Sequence, residues 1–331
     1  MKKPQKRNQI GAIGNISVLI ALVLVLIGIF LWPRLEDHIT VMRYEPTPEI
    51  AAIADRATMV GDGRFYFYAS QPVLEGTQIF NSYCNRREEK SAILGCYDGK
   101  TIYIFDVTEE RLSGIEEVTA AHEMLHAAYD RLSKERISYL EPLLQAEYDK
   151  QASDELKERM AYYDRTEPGQ HFNELHSIIG TEMANISPEL ETHYRKYFSD
   201  RAAVVGLHAS YSSAFQESAR KIEQLATELN DLAESINRST EEYNQRSAAL
   251  NADIQTFNQR AESGFYRTQA AFDAERAQLV NRSEQLNAER QQIEYNLAAY
   301  EGKLQEYKAL TSEAEDLQNS IDSSLAPAPA I

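Results

Sequence analysis

Residues 122–126 read His-Glu-Met-Leu-His. On a helix, His122 and His126 leave the same face one turn apart, so both imidazoles can hold one metal ion. Glu123 stands beside the first of them, where it can reach a water on that metal without being a ligand. With a carboxylate as third ligand, Zn²⁺ suits the set: it keeps a net positive charge and an open fourth position. A zinc-bound water is acidified and the carbonyl it attacks is polarised. Glu123, as general base, takes the water's proton and passes it to a leaving amine. That chemistry hydrolyses peptide bonds.

Such chemistry needs a helix at the motif and a third ligand from elsewhere. Neither Pro nor Gly occurs between Ile115 and Lys134, and Ile115, Val118, Leu125, Ala128, Tyr129 and Leu132 supply an apolar stripe. The third ligand is expected on a later helix. The segment Gln170–Glu182 offers Glu174, with Glu182 two turns further on nearly the same face as the alternative. His176, two residues from Glu174, turns away and reads as a packing residue. His171, three residues before it, faces the site and reads as a substrate contact. Further on, His193, Tyr194, Arg195 and Tyr197 are candidates for stabilising an oxyanion.

The run Asn173-Glu174-Leu175-His176-Ser177 places its glutamate 48 residues after His126. In this it resembles the gluzincin metallopeptidases, the thermolysin-like superfamily, whose HExxH is followed by NExxS. The resemblance covers the two motif helices only, and implies Glu174 as third ligand within a zincin-like catalytic domain. It also implies a small sheet before the motif helix whose edge strand takes the substrate by backbone pairing. Thr101–Phe105, the nearest strand-like segment, is the expected edge. One departure stands out: the family's Asp four residues after the ligand Glu is Ile178 here. Orienting a ligand imidazole then falls to Asp130 or Glu182.

The expected fold class is α+β: a mostly helical catalytic domain with a small β-sheet, preceded by one transmembrane helix and followed by a long antiparallel helical hairpin. Residues 1–12 form a basic tip with Lys2, Lys3, Lys6 and Arg7, and 13–33 an apolar anchor of bilayer-spanning length. No small-x-small cleavage site follows Trp32, which favours an uncleaved anchor. The charge bias keeps the N-terminus cytoplasmic and exports the remainder, so the localisation read here is a single-pass cell-membrane protein. Residues 34–60 connect to the metallopeptidase-like domain at 61–205. Within that domain strands are expected near Phe65–Tyr68, Ile93–Leu94 and Thr101–Phe105, and helices near 134–150, 153–164, 170–180 and 187–200. The two cysteines, Cys84 and Cys96, lie in the exported part and are expected to form a disulfide.

Composition shifts after residue 205. Over 206–322 apolar residues recur at three-four spacing in two arms, Ile222 to Ala261 and Ile293 to Ile321, about Ser263-Gly264. This predicts a coiled-coil hairpin, with Phe265 and Tyr266 at its turn either as a contact site for a protein partner or as a cap on the hairpin; 323–331 is expected as a flexible tail. The formal net charge of −17 argues against nucleic acid and against an anionic membrane surface as partners.

Two functions fit. One is a membrane-anchored, extracytoplasmic zinc-dependent endopeptidase acting on proteins or peptides. The other is an envelope scaffold or adaptor that works through its coiled coil and keeps a vestigial or structural zinc. Glu123 separates them, because a structural zinc has no use for a general base.

Overall fold

A computed structural model of the chain describes residues 34–84 and 94–323. The expected anchor over 13–33 lies outside the described residues, and none of the described helices is long and apolar enough to cross a membrane. The chain is mostly helical, with one small sheet. The described residues up to 213 and from 319 to 323 form one compact unit, and Ala214–Gln318 form a second.

In the first unit, a helix over 34–43 (α1) leads to α2 (Pro48–Arg56) and α3 (Gly61–Ala69). Thr47 caps α2 by accepting the amide of Ile50, and Pro48 opens the helix. Ile50, Ile53 and Ala54 are buried, so α2 belongs to the core and is no mere connection. Phe65–Tyr68, expected as a strand, lies inside α3. Aromatics favour strands, yet here burial of Phe67 on one side of a helix outweighs that propensity. Strand β1 (Val73–Glu75), helix α4 (Thr77–Tyr83), strand β2 (Gly95–Tyr97) and strand β3 (Ile102–Phe105) follow.

Strand β3 is the centre of the sheet, parallel to β1 and antiparallel to β2. All four of its residues are buried, which explains an uninterrupted Ile-Tyr-Ile-Phe run. It is therefore not the expected edge; β1 and β2 are the two edges, and β2 is the one that lies against the motif helix. The sulfurs of Cys84, after α4, and Cys96, in β2, stand at disulfide distance, 1.96 Å, which ties the edge strand to α4.

Helix α5 (Ile115–Asp130) carries the HExxH motif and packs its apolar residues into the main core. Helices α6 (Lys134–Gln151), α7 (Asp154–Thr166), α8 (His171–Glu182) and α9 (Pro188–Tyr194) follow. Ser133, Ser153 and Ser187 cap α6, α7 and α9 through their hydroxyls. After Gln318 the chain returns to this unit: Ser323 is buried, and its carbonyl accepts a hydrogen bond from Asn81 Nδ2 on α4.

Helix α10 (Arg201–Glu262) starts before the composition shift, and α11 (Gln269–Ser320) follows a turn at 263–268. In the second unit the two run antiparallel. Asp253 pairs with Arg282 at 2.6 Å and Glu275 with Arg260 at 3.0 Å, while Glu289 meets Arg246 and Glu228 meets Lys303. Leu225, Leu229, Ile236, Leu250, Phe257 and Leu286 are buried along the seam. Near the turn Phe257 packs on Phe272, and Tyr266 donates to Glu275, while Phe265 is 61% exposed. Spin labels on cysteines replacing Asp253 and Arg282 are expected within about 20 Å of each other in a monomer, the spacing of paired helices plus label arms. A double electron–electron resonance distance several times longer sinks the hairpin.

Candidate metal centre

Helix packing brings the three candidate ligands together. Gly180 on α8 lies where a Cβ would come within 2.4 Å of Leu125 Cδ1 and 2.8 Å of Tyr194 Cε1. Its missing side chain lets α8 lie close against α5. Arg201 then closes the C-terminal end of α8, donating to the carbonyls of Met183 at 2.6 Å and Ala184 at 3.1 Å. One turn into α8, Glu174 faces α5. Its Oε2 is 3.7 Å from His122 Nε2, and its Oε1 is 3.6 Å from His126 Nε2.

Those separations are too long for hydrogen bonds and suit a shared ion. Tetrahedral ligands at 2.0–2.1 Å from a zinc-sized ion stand about 3.3 Å apart. One donor atom from each of His122, His126 and Glu174 lies within 4.8 Å of the others, so the trio could hold a metal ion. Glu174 is 4% exposed, and its buried Oε2 has no hydrogen-bond partner. That oxygen is available to a metal ion. Burial pushes the Glu174 carboxyl up, but His126, His122 and Arg159 outweigh it and hold its pKa below the ordinary carboxylate value.

The second nitrogen of His126 meets Asn173: Nδ1 lies 3.0 Å from Oδ1. With Nδ1–H donating to that oxygen, the Nε2 lone pair points toward Glu174. Asn173 is itself held by Gln170 Oε1, which accepts from Nδ2 at 3.0 Å. The orienting role expected of Asp130 or Glu182 thus belongs to Asn173; Asp130 is exposed. The carboxylate of Glu182 goes to Arg159 at 2.5 Å and His208 Nε2 at 3.6 Å, so of the two candidate carboxylates only Glu174 meets both imidazoles.

Glu123 is 7% exposed and lies under the edge strand. At Gly95 a Cβ would come within 2.5 Å of Thr119 Cγ2 and 2.9 Å of Glu123 Cγ, so β2 can pass over the motif helix only with glycine there. Burial pushes the Glu123 carboxyl above its ordinary pKa, against the pull of His126 and His122. A carboxylate kept basic beside two imidazoles is poised to take up a proton.

The remaining expected residues separate into two groups. His171 pairs with Asp164 at 2.8 Å and stacks edge-on against Tyr148. His176 is fully buried, as its turn on the helix predicts; its Nε2 lies 2.9 Å from His193 Nε2, and Tyr194 donates to its carbonyl. His193, Tyr194 and Tyr197 therefore build core around His176. What the sequence reading missed is one face of α7. Arg159 and Tyr163 on α7, with Glu167 at its C-cap, recur every four residues, and each acts electrostatically on Glu174 or Glu123. Burial first, then Glu174 and Glu123, hold the Tyr163 hydroxyl protonated far above its ordinary range. The four-residue spacing was visible, but only the packing of α7 on α8 gives it meaning.

Glu174→Ala and His126→Ala are expected to abolish stoichiometric metal, and Glu182→Ala to retain it, by elemental analysis of the purified chains. The histidine pair yields a separate outcome. Burial, with Arg136 and Lys196 nearby, lowers the His193 pKa to about 3. Below the unfolded value near 6.5 the unfolded chain binds more protons than the folded one, so stability falls as pH drops through 6.5 towards 3. His193→Gln is expected to lose about 2 kcal/mol less than the native chain between pH 7 and pH 5, at 1.36 kcal/mol per pKa unit. Equal losses in denaturant titrations would refute this.

A scan against protein-family models and searches of curated proteins and of solved structures find no match to this chain.

Proposed function

We propose that this chain is a membrane-anchored, extracytoplasmic zinc-dependent endopeptidase. One observation carries the reading: a buried Glu123 stands next to a three-donor cluster of His122, His126 and Glu174. Three protein donors leave a position open for a reactant, whereas structural zinc normally takes four. Bound there, zinc would supply the Lewis acid that polarises a scissile carbonyl and acidifies water.

The chain's own residues do the rest. Asn173 fixes the His126 ring through Nδ1. Glu123 accepts the proton of the attacking water and returns it to the leaving nitrogen, aided by the low-dielectric setting that raises its affinity for protons. Tyr163, kept protonated, donates its hydroxyl to the developing oxyanion; this role replaces the ones weighed for His193, Tyr194 and Tyr197, which lie in the core. The edge strand β2, passing directly over Glu123, is the element against which an extended substrate would pair. The scaffold reading keeps the hairpin as a working part but leaves a buried Glu123 without a task.

Glu123→Gln is expected to keep full metal content and lose peptide hydrolysis. Tyr163→Phe is expected to keep metal and lower kcat about a hundredfold, the usual cost of one oxyanion donor, with KM little changed. Both are read on an unbiased peptide-library digest followed by kinetics on a selected peptide. Unaltered hydrolysis in Glu123→Gln would overturn the assignment.

A further inference from the structure

The segment that leaves the expected anchor is fastened to the motif helix. Asp37 on α1 receives two hydrogen bonds from Arg131, from Nε and from Nη2, both at 2.9 Å. Arg131 caps the C-terminal end of α5 and also donates to Ala127 O at 2.8 Å and to Tyr97 Oη of the edge strand at 3.1 Å. Its guanidinium lies over the Tyr66 ring, 5.4 Å from the centroid. Both charged side chains are largely covered, at 19% and 18% exposure, so the pair is less screened than a surface ion pair. Further along, Tyr44 donates to the Pro72 carbonyl at 2.6 Å. Residues 37–44 are thus docked at both ends.

This docking limits how far the metal centre can stand from the membrane. Asp37 comes four residues after Pro33, where the expected anchor ends. At 1.5 Å per helical residue, with one arginine–aspartate span between, residue 34 and His126 are at most about 25 Å apart. Adding the headgroup layer puts the reacting bond within about 30–35 Å of the bilayer's apolar core, a distance that about ten extended residues cover.

We infer that the substrates are polypeptides held in the same bilayer and cut within about ten residues of its surface. This rests on the endopeptidase reading and on the anchor. A freely tethered domain would sweep a large volume and gain little from such proximity. A docked one meets short-tethered chains at a high effective concentration, which falls roughly as the −3/2 power of tether length.

The test uses the full chain reconstituted in phosphatidylcholine vesicles. A pool of quenched random-sequence peptides is offered in solution, or linked to a diacyl lipid through about five or about sixty Gly/Ser residues. The short-tethered pool is expected to be cut roughly tenfold faster than the long-tethered one. Asp37→Ala, with Asp37→Asn as its milder companion, is expected to leave hydrolysis of the soluble pool unchanged and shrink that ratio below threefold. Equal rates for the two tethers, or failure of the chain to float with the vesicles, overturns the inference while leaving hydrolysis of the soluble pool intact. If no pool is cut, the endopeptidase reading fails first and takes this one with it.

Discussion

The burial of one carboxylate governs the unit that carries the candidate metal site. Glu174 is almost sealed from solvent, and one of its oxygens has no hydrogen-bond partner. An ionised carboxylate in such a place costs several kcal/mol unless opposite charge compensates it. Two imidazoles 3.6 and 3.7 Å away compensate only in part, and a cation between all three would complete the balance. The neighbouring structure serves that geometry. Gly180 lets α8 approach α5, Arg201 satisfies the carbonyls at the end of α8, and Asn173 sets the ring of His126.

Around this charge the two carboxylates of the centre are separated in character. Glu174 is pulled below the ordinary carboxylate pKa by the histidines it faces, whereas Glu123 is pushed above it by burial beneath β2. Neighbouring groups with opposed shifts take opposite tasks, one holding charge and one exchanging protons. The difference arises from position alone. Glu174 points between the imidazoles; Glu123 points at a strand whose glycine leaves just enough room for it.

How much of this could be read from the chain differs by element. The HExxH helix, the Glu174 helix and the two arms of the hairpin were legible because helical periodicity is a local property of sequence. The buried strand at 102–105 was legible as a strand, but its central place was not, since strand order depends on pairings between distant segments. The edge over the motif helix, Gly95-Cys-Tyr97, is three residues long and carries no period at all. Phe65–Tyr68 misled because aromatics fit either a strand or one side of a buried helix. Asn173 and Tyr163 escaped because their roles come from which helix packs against which, and the missing family Asp at Ile178 pointed to acids when an amide does the orienting. The basic tip and anchor rest on sequence alone.

The hydrogen bond from Asn81 to the Ser323 carbonyl has a consequence for how the protein is made. The first compact unit is assembled from two stretches of chain separated by the whole of Ala214–Gln318, so the second unit is an insertion and not an appendage. During synthesis α4 emerges more than two hundred residues before the strand of chain that completes its surroundings. The contact between α4 and Ser323 can therefore form only after the whole of the inserted unit has been made, which sets it among the last contacts of the first unit.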